Sequence, residues 1–117
     1  MHKVLIMVAT ISLMVTAGPS VAQDIKVGKK LYADNCMGCH GSKAQGAGGM
    51  KLAGDAAYWD FPIFKRTVME GIDDEGKQLK IMPVLGKTGF YIPKGEIPTD
   101  AELQDIQAYL KTFGPPE

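Results

Sequence analysis

The pentad Cys36-Met37-Gly38-Cys39-His40 carries the most specific chemistry in this chain. Two thiols separated by two residues, followed at once by an imidazole, form the pattern that attaches a c-type haem. Each thiol can add to one vinyl group of the haem, and the imidazole is then held close to the iron. The pentad therefore predicts one covalent haem c, bound through Cys36 and Cys39, with His40 as the proximal iron ligand.

The same cysteines admit two other interpretations, a redox-active dithiol of the thioredoxin type and half of a zinc site. A zinc site needs about four Cys, His or carboxylate ligands, and outside the pentad the only other histidine is His2. A dithiol motif requires no histidine after it, and no strand-rich stretch precedes Cys36 in this sequence. Haem attachment is the favoured interpretation of the three.

Residues 1–22 have the pattern of a secretory signal peptide. A positive charge at Lys3 precedes an apolar stretch from Val4 to Val15, and small residues precede the expected cleavage point. Because about 20 apolar residues are needed to cross a bilayer core, this stretch is too short for a transmembrane helix. We expect cleavage before Gln23, export to the periplasm, and a mature domain over residues 23–117 without a transmembrane segment. An uncleaved membrane anchor is the alternative.

The charge and the size of the chain limit its function and its stability. The 13 basic residues are balanced by 13 acidic ones, whereas nucleic-acid binding takes a strongly basic face, so no nucleic-acid partner is expected. A domain this short buries too little of its own surface to be robust alone. A large apolar haem at its centre would supply the missing core, so we expect the apo form to be poorly folded.

Hydrophobic periodicity predicts helices separated by loops that are rich in glycine and proline. The first begins at the N-cap Asp24 and runs to Cys36, and the second covers residues 60–70 with a proline in its first turn. The third begins at the capping box Thr99-Asp100-Ala101-Glu102. No alternating strand pattern of any length is present, so the fold class is predicted to be all-α.

A haem with one histidine needs a second axial ligand. Once His2 is removed with the signal peptide, His40 is the only histidine left, which excludes bis-histidine ligation within one chain. Methionine is the next candidate, and four methionines follow the signal peptide: Met37, Met50, Met69 and Met82.

The surroundings of these methionines favour Met82. Met37 lies inside the attachment loop on the proximal side, and Met69 falls among apolar positions of the second helix, where methionine usually packs in the core. Met50 and Met82 remain. Met82 precedes Pro83, and the residue before a proline favours an extended backbone that can present the thioether. Core packing is the alternative role for Met82.

Further motifs resemble the monohaem class I cytochrome c family. They are Gly28-x-x-x-Tyr32 ahead of the pentad, Met82-Pro83 after it, and Ala108-Tyr109-Leu110-Lys111 near the end of the chain. The resemblance covers essentially all of residues 23–117. It implies a class I cytochrome c fold in a soluble periplasmic protein, with about three to four helices wrapped round one covalently bound haem.

The resemblance also assigns roles to individual residues. In that family the first and last helices cross near the haem, and a glycine on the first helix allows the close approach. This crossing falls to Gly28, with Tyr32 and Tyr109 beside it, and iron ligation falls to His40 and Met82. The indole N–H of the only tryptophan, Trp59, is a candidate donor to a haem propionate, with simple packing on the porphyrin edge as the alternative.

Two features depart from the family pattern. Many members have a proline after the pentad whose carbonyl accepts a hydrogen bond from the proximal histidine, and this chain has Met50 there, which still offers a backbone carbonyl. The connection from Gly86 to Pro98 is also longer than in minimal members. This loop is either a docking surface or a lid that shields Met82 from water. Nearby lysines are either a steering patch or ordinary solvated side chains: Lys77, Lys80 and Lys87.

With His40 and Met82 on its two faces, the iron would have no open position, which suits one-electron transfer better than substrate activation. We therefore expect a non-enzymatic electron carrier, as a periplasmic shuttle or as the small electron-accepting subunit of a periplasmic dehydrogenase. Its partners would be redox proteins: such a dehydrogenase, a terminal oxidase or another cytochrome. The alternative is a haem enzyme or gas-binding protein with an open distal site, although no distal histidine remains for acid–base work.

Overall fold

The structure is a computed structural model that describes residues 2–12 and 23–117. Residues 2–12 are exposed and form no helix, and the rest of the predicted signal peptide, with its expected cleavage point, lies outside the described residues. Within the described ranges, no helix is long and apolar enough to cross a membrane. The helices are α1 (Ile25–Asn35), α2 (Met37–His40), α3 (Phe61–Glu70), α4 (Leu85–Thr88) and α5 (Asp100–Lys111), with a 3-10 turn at Ala56–Tyr58.

The ends of the three predicted helices follow from local hydrogen bonding. The Asp24 carboxylate accepts from the N–H groups of Lys26 and Val27, which caps α1. Gly71 closes α3 in the left-handed conformation at φ 71°, which glycine adopts without strain. Both bonds of the predicted capping box form at the start of α5 between Thr99 and Glu102.

The all-α prediction is confirmed, and two short helices extend it. Helix α2 lies within the pentad, and α4 occupies the start of the connection that the sequence presented as a loop. Both are four residues long, too short to show a 3.6-residue period. Among the described residues, β structure is limited to one isolated bridge between Ile72 and Gln78.

The first and last long helices cross in contact at Gly28, as predicted. A Cβ atom at Gly28 would overlap the backbone carbonyl of Asp105 on α5, so only glycine permits this approach. Beside the crossing, the ring centroids of Tyr32 and Tyr109 lie 5.7 Å apart in a tilted arrangement. The backbone N–H of Asp24 also donates to Oδ1 of Asp105 at 2.8 Å, which ties the start of α1 to α5.

The apolar core lies where these two helices meet α3 and the 3-10 turn. Its largest fully buried side chains come from α1, α5 and the connection before α5: Tyr32, Phe90, Leu103 and Leu110. Cys36, Trp59 and Val68 pack partly buried against this core. The attachment pentad is thus held against the core by α1.

Candidate cofactor site

The pentad is folded into one helical turn that directly follows α1. Cys36 caps α1, its N–H donating to the carbonyl of Tyr32 at 2.8 Å, and its own carbonyl accepts from the N–H of His40 at 3.0 Å. Cys36 is half-buried, Cys39 is exposed and His40 is buried. The structure therefore brings the two thiols and the imidazole together on a single turn.

The orientation of His40 is set by a backbone carbonyl. Its Nδ1 lies 2.7 Å from the carbonyl oxygen of Met50. Because a carbonyl only accepts, Nδ1 must carry the proton, which leaves the lone pair of Nε2 available to a metal. The expectation that residue 50 still offers this carbonyl in the absence of proline is confirmed.

The loop that delivers the Met50 carbonyl is tied back to the pentad. The N–H of Gly46 donates to the carbonyl of His40 at 2.7 Å, and that of Gly49 donates to the carbonyl of Cys39 at 2.8 Å. A Cβ atom on Gly49 would lie 2.7 Å from the Cys39 carbonyl oxygen, so this close approach also needs glycine. The Met50 side chain itself is 65% exposed.

Burial changes the acidity of the Cys36 thiol, which lies against the core. Burial raises the pKa of the Cys36 thiol to about 12, and neighbouring Cys39 contributes in the same direction. Before attachment this thiol is therefore neutral at ordinary pH. Conversion to a thioether removes the titration altogether.

Tyr32 fixes the residue that follows the pentad. Its hydroxyl is buried and donates to the carbonyl of Gly41 at 2.6 Å. Burial is the main cause that raises the pKa of Tyr32 to about 12, followed by the charges of Cys36 and Tyr109. The hydroxyl thus remains a donor throughout the neutral range.

Tyr32→Phe is expected to lower the free energy of unfolding by about 1 to 2 kcal/mol, because the Gly41 carbonyl loses its buried donor. The pH dependence carries a second signature. The tyrosine pKa is higher in the folded state, so its contribution is complete below pH 10 and is lost as pH rises towards 12. Phenylalanine should remove that part of the alkaline decline. Denaturant unfolding from pH 7 to 11 measures both effects, and an equal change in the exposed control Tyr91→Phe would contradict them.

The candidate second ligand lies in an irregular segment. Met82 is half-buried outside any helix, between the exposed residues Ile81 and Pro83. Met69, by contrast, lies on α3 and packs against the core, with its carbonyl so close to Gly86 that a Cβ there would overlap it. The backbone around Met82 thus has the non-helical character that the sequence predicted, and iron ligation by Met82 stays a prediction.

Trp59 already has a hydrogen-bond acceptor. Its indole Nε1–H donates to Oδ1 of Asp55 at 3.2 Å, and its backbone carbonyl accepts from Nε2 of Gln107 at 2.8 Å. The ring packs partly buried against the core. Contact between Trp59 and a haem propionate stays a prediction.

The lysines near Met82 lie in different surroundings. Lys77 pairs with Glu75 at 3.3 Å, with both side chains exposed, and Lys80 is exposed. Lys87 lines an open groove of about 740 Å³ between α3 and α4, together with Lys65 and Arg66. Steering of an acidic partner by these lysines stays a prediction.

The role of one polar residue near the site, Asn35, is not indicated by the sequence. The side chain of Asn35 joins α1 to residues 91 and 92 through three hydrogen bonds of 2.7 to 3.0 Å. An asparagine at the end of a helix is a common sequence feature. No local pattern predicts that its side chain will bind a residue 57 positions further along the chain.

The donor set fits a covalent haem better than a bare metal ion. Two cysteines lie within one helical turn, as attachment to two vinyl groups requires, and the Nδ1 contact of His40 leaves its Nε2 available to a metal. In the part of the chain that the structure describes, no three His, Cys, Asp or Glu side chains gather as a metal site requires. An all-α domain with this pentad and this histidine geometry belongs to the c-type haem proteins.

The particular family follows from comparison with known proteins. The family model described as cytochrome c matches residues 25–114, and the chain belongs to the cytochrome c family, in its monohaem class I. The protein therefore carries one covalently bound haem c, and Cys36 and Cys39 are the cysteines of its attachment motif. The chemistry of this family is electron transfer through that haem.

Two solved structures show the same fold. Cytochrome cL from Hyphomicrobium denitrificans is 20% identical, with 79% of this chain and 48% of its own covered and a TM-score of 0.52. Dihydro-haem d1 dehydrogenase NirN is 20% identical, with 77% of this chain and 16% of its own covered and a TM-score of 0.52. Cytochrome cL from Methylophaga aminisulfidivorans is 29% identical, with 75% of this chain and 53% of its own covered and a TM-score of 0.44. The chain thus spans about half the length of these two cytochromes cL, and no curated protein sequence matches it.

Proposed function

We propose that this protein is a one-electron carrier whose haem c is attached through Cys36 and Cys39 and ligated by His40 and Met82. The observation that carries the proposal is the 2.7 Å contact between Nδ1 of His40 and the Met50 carbonyl. This contact fixes the tautomer and the ring orientation that an axial ligand needs. The remaining face falls to a methionine, because His40 is the only histidine after residue 22.

The haem, when bound, supplies the one-electron chemistry, and the chain supplies its attachment, orientation and exclusion of water. The Met50 carbonyl retains the proton at Nδ1 of His40, and Tyr32 holds the residue that follows the histidine. A thioether from Met82 would serve as the second iron ligand and would leave no place for a substrate. After residue 22 the chain has no cysteine or histidine outside the pentad, so no acid–base or nucleophilic group of these types remains for a second reaction.

The proposal includes a location and partners. The signal-like residues 1–22 favour export, and covalent attachment of haem c takes place outside the bacterial inner membrane. In the periplasm the protein would act as a shuttle, or as the small electron-accepting subunit of a dehydrogenase. Its partners would be that dehydrogenase, a terminal oxidase or another cytochrome. Gel filtration of a native periplasmic extract separates the two roles, because a subunit elutes with its enzyme.

The test of the carrier role is voltammetry of the haem-loaded protein. We expect a reversible one-electron wave, no catalytic current when hydrogen peroxide is added, and no binding of carbon monoxide by the untreated ferrous protein. A closed iron explains all three results, because neither peroxide nor carbon monoxide finds an open position. A catalytic peroxide current or tight carbon monoxide binding would instead establish the alternative, a haem enzyme or gas-binding protein with an open distal site.

A further inference from the structure

The side chain of Asn35 is saturated with hydrogen bonds. Its Nδ2 donates to the carbonyl of Leu31 at 3.0 Å and to that of Ile92 at 2.8 Å. Its Oδ1 accepts from the N–H groups of Tyr91 at 2.7 Å and Ile92 at 3.0 Å. A primary amide has two donors and two acceptor lone pairs, so each is used. Three of the four bonds leave α1 and reach residues 91 and 92, far along the chain.

The segment that receives these bonds, residues 89–96, is a closed loop that we call the strap. Its neck is joined by the N–H of Phe90 donating to the carbonyl of Glu96 at 2.8 Å, and by the N–H of Gly95 donating to that of Phe90 at 2.9 Å. Gly89 has φ 71°, and a Cβ there would overlap the backbone of Gly95. Phe90 is buried in the core, whereas Tyr91 is 79% exposed. Asn35 therefore attaches residues 91 and 92 of the strap to α1.

The strap shares a cavity with residues that neighbour the attachment cysteine Cys36 and the candidate ligand Met82. Together with Asn35, Pro83 and Leu85 it lines a cavity of about 340 Å³. Asn35 directly precedes the attachment cysteine Cys36, and Pro83 directly follows Met82. The side chain of Asn35 thus connects the haem-attachment segment to the strap. The strap in turn lies against Pro83, which follows the candidate sixth ligand Met82.

We infer that Asn35 is a positioning residue that holds the strap over this cavity and keeps exogenous ligands away from the Met82 side of the haem. The inference rests on the proposed His40 and Met82 ligation and adds the residue that protects it. Loss of the amide leaves the N–H groups of Tyr91 and Ile92 without a protein acceptor, so the strap opens more often. Entry of a ligand that needs the open strap rises in proportion to the open population.

The test uses the haem-loaded full chain and imidazole as the probe. Asn35→Ala is expected to raise the rate of imidazole binding to the ferric protein about tenfold, since ligand entry scales with the open fraction. Hydrogen exchange of the Tyr91 and Ile92 amides should accelerate in the same variant. Asn35→Asp keeps both accepting contacts but places a carboxylate oxygen against the carbonyls of Leu31 and Ile92, so it should also raise the rate. Asp34→Ala is the matched control, because Asp34 is the neighbour of Asn35 and its carboxylate pairs with Lys30 on the same helix.

Each result either supports or contradicts the proposed role of Asn35 in holding the strap. Equal imidazole rates in wild type and both Asn35 variants would overturn the inference, as would an equal increase in Asp34→Ala. If Asn35→Ala holds no haem, the comparison of Asn35→Asp with wild type decides in the same way. The proposed ligation fails separately, because absence of the near-infrared methionine-to-iron band in the wild type would refute it before any variant is measured.

Discussion

Replacement of Cys36 and Cys39 together by serine is expected to give a chain without covalent haem that no longer unfolds cooperatively. The cysteines are the only ones in the chain, and loss of the haem removes the large apolar group that is expected to complete the core. Mass spectrometry of the denatured protein should show the mature chain without the added haem mass. Circular dichroism on heating should show a broad transition in place of the sharp one of the wild type.

Gly38→Ala provides the control for this result, because it alters the same turn and a Cβ there meets no atom within 4 Å. It should retain the haem and a cooperative transition. A haem that extracts from the wild type into acidified organic solvent would contradict covalent attachment. A double serine variant with the wild-type melting curve would contradict the structural dependence on haem.

Met82→Ala is expected to abolish the weak near-infrared band that reports methionine bound to ferric iron, and to open the iron to imidazole and carbon monoxide. The reason is that alanine offers no ligand atom, and no second histidine remains after residue 22 to replace the thioether. The reduction potential should fall, because loss of methionine ligation removes the stabilisation of the reduced state. Absorption spectra and redox titration measure these effects.

Two matched controls accompany this variant. Met50→Ala should keep the band, since residue 50 contributes its backbone carbonyl and its side chain is 65% exposed. Met69→Ala should also keep it, because Met69 packs against the core from α3. Loss of the band in Met50→Ala alone would transfer the ligand role to Met50.

The parts of the fold that the sequence predicted are those that local chemistry determines. The capping box between Thr99 and Glu102, the glycine stop at Gly71 and the apolar stripes of the long helices involve neighbours in the chain. The pentad is equally local, which is why the haem and its attachment cysteines follow from it. The contact at Gly28 was predicted from the family resemblance, and its overlap with Asp105 shows why glycine is needed.

The parts that the sequence did not predict depend on distant contacts or on very short elements. Helices α2 and α4 span one turn each, so no periodicity precedes them. The bonds of Asn35 to residues 91 and 92 appear only after the chain has folded back on itself. Likewise, no sequence motif predicts the hydrogen bond between the indole of Trp59 and the carboxylate of Asp55.

The hydrogen bond from His40 to residue 50 is made by a backbone oxygen, and this has a consequence for protein engineering. Any side chain that tolerates the local backbone presents the same carbonyl, so the identity of residue 50 is free to vary while the histidine geometry persists. Proline would add only stiffness. The side chain of Met50 is largely exposed to solvent. A spectroscopic label attached at position 50 would therefore lie close to His40, and it would leave in place the backbone carbonyl that accepts the hydrogen bond from Nδ1 of His40.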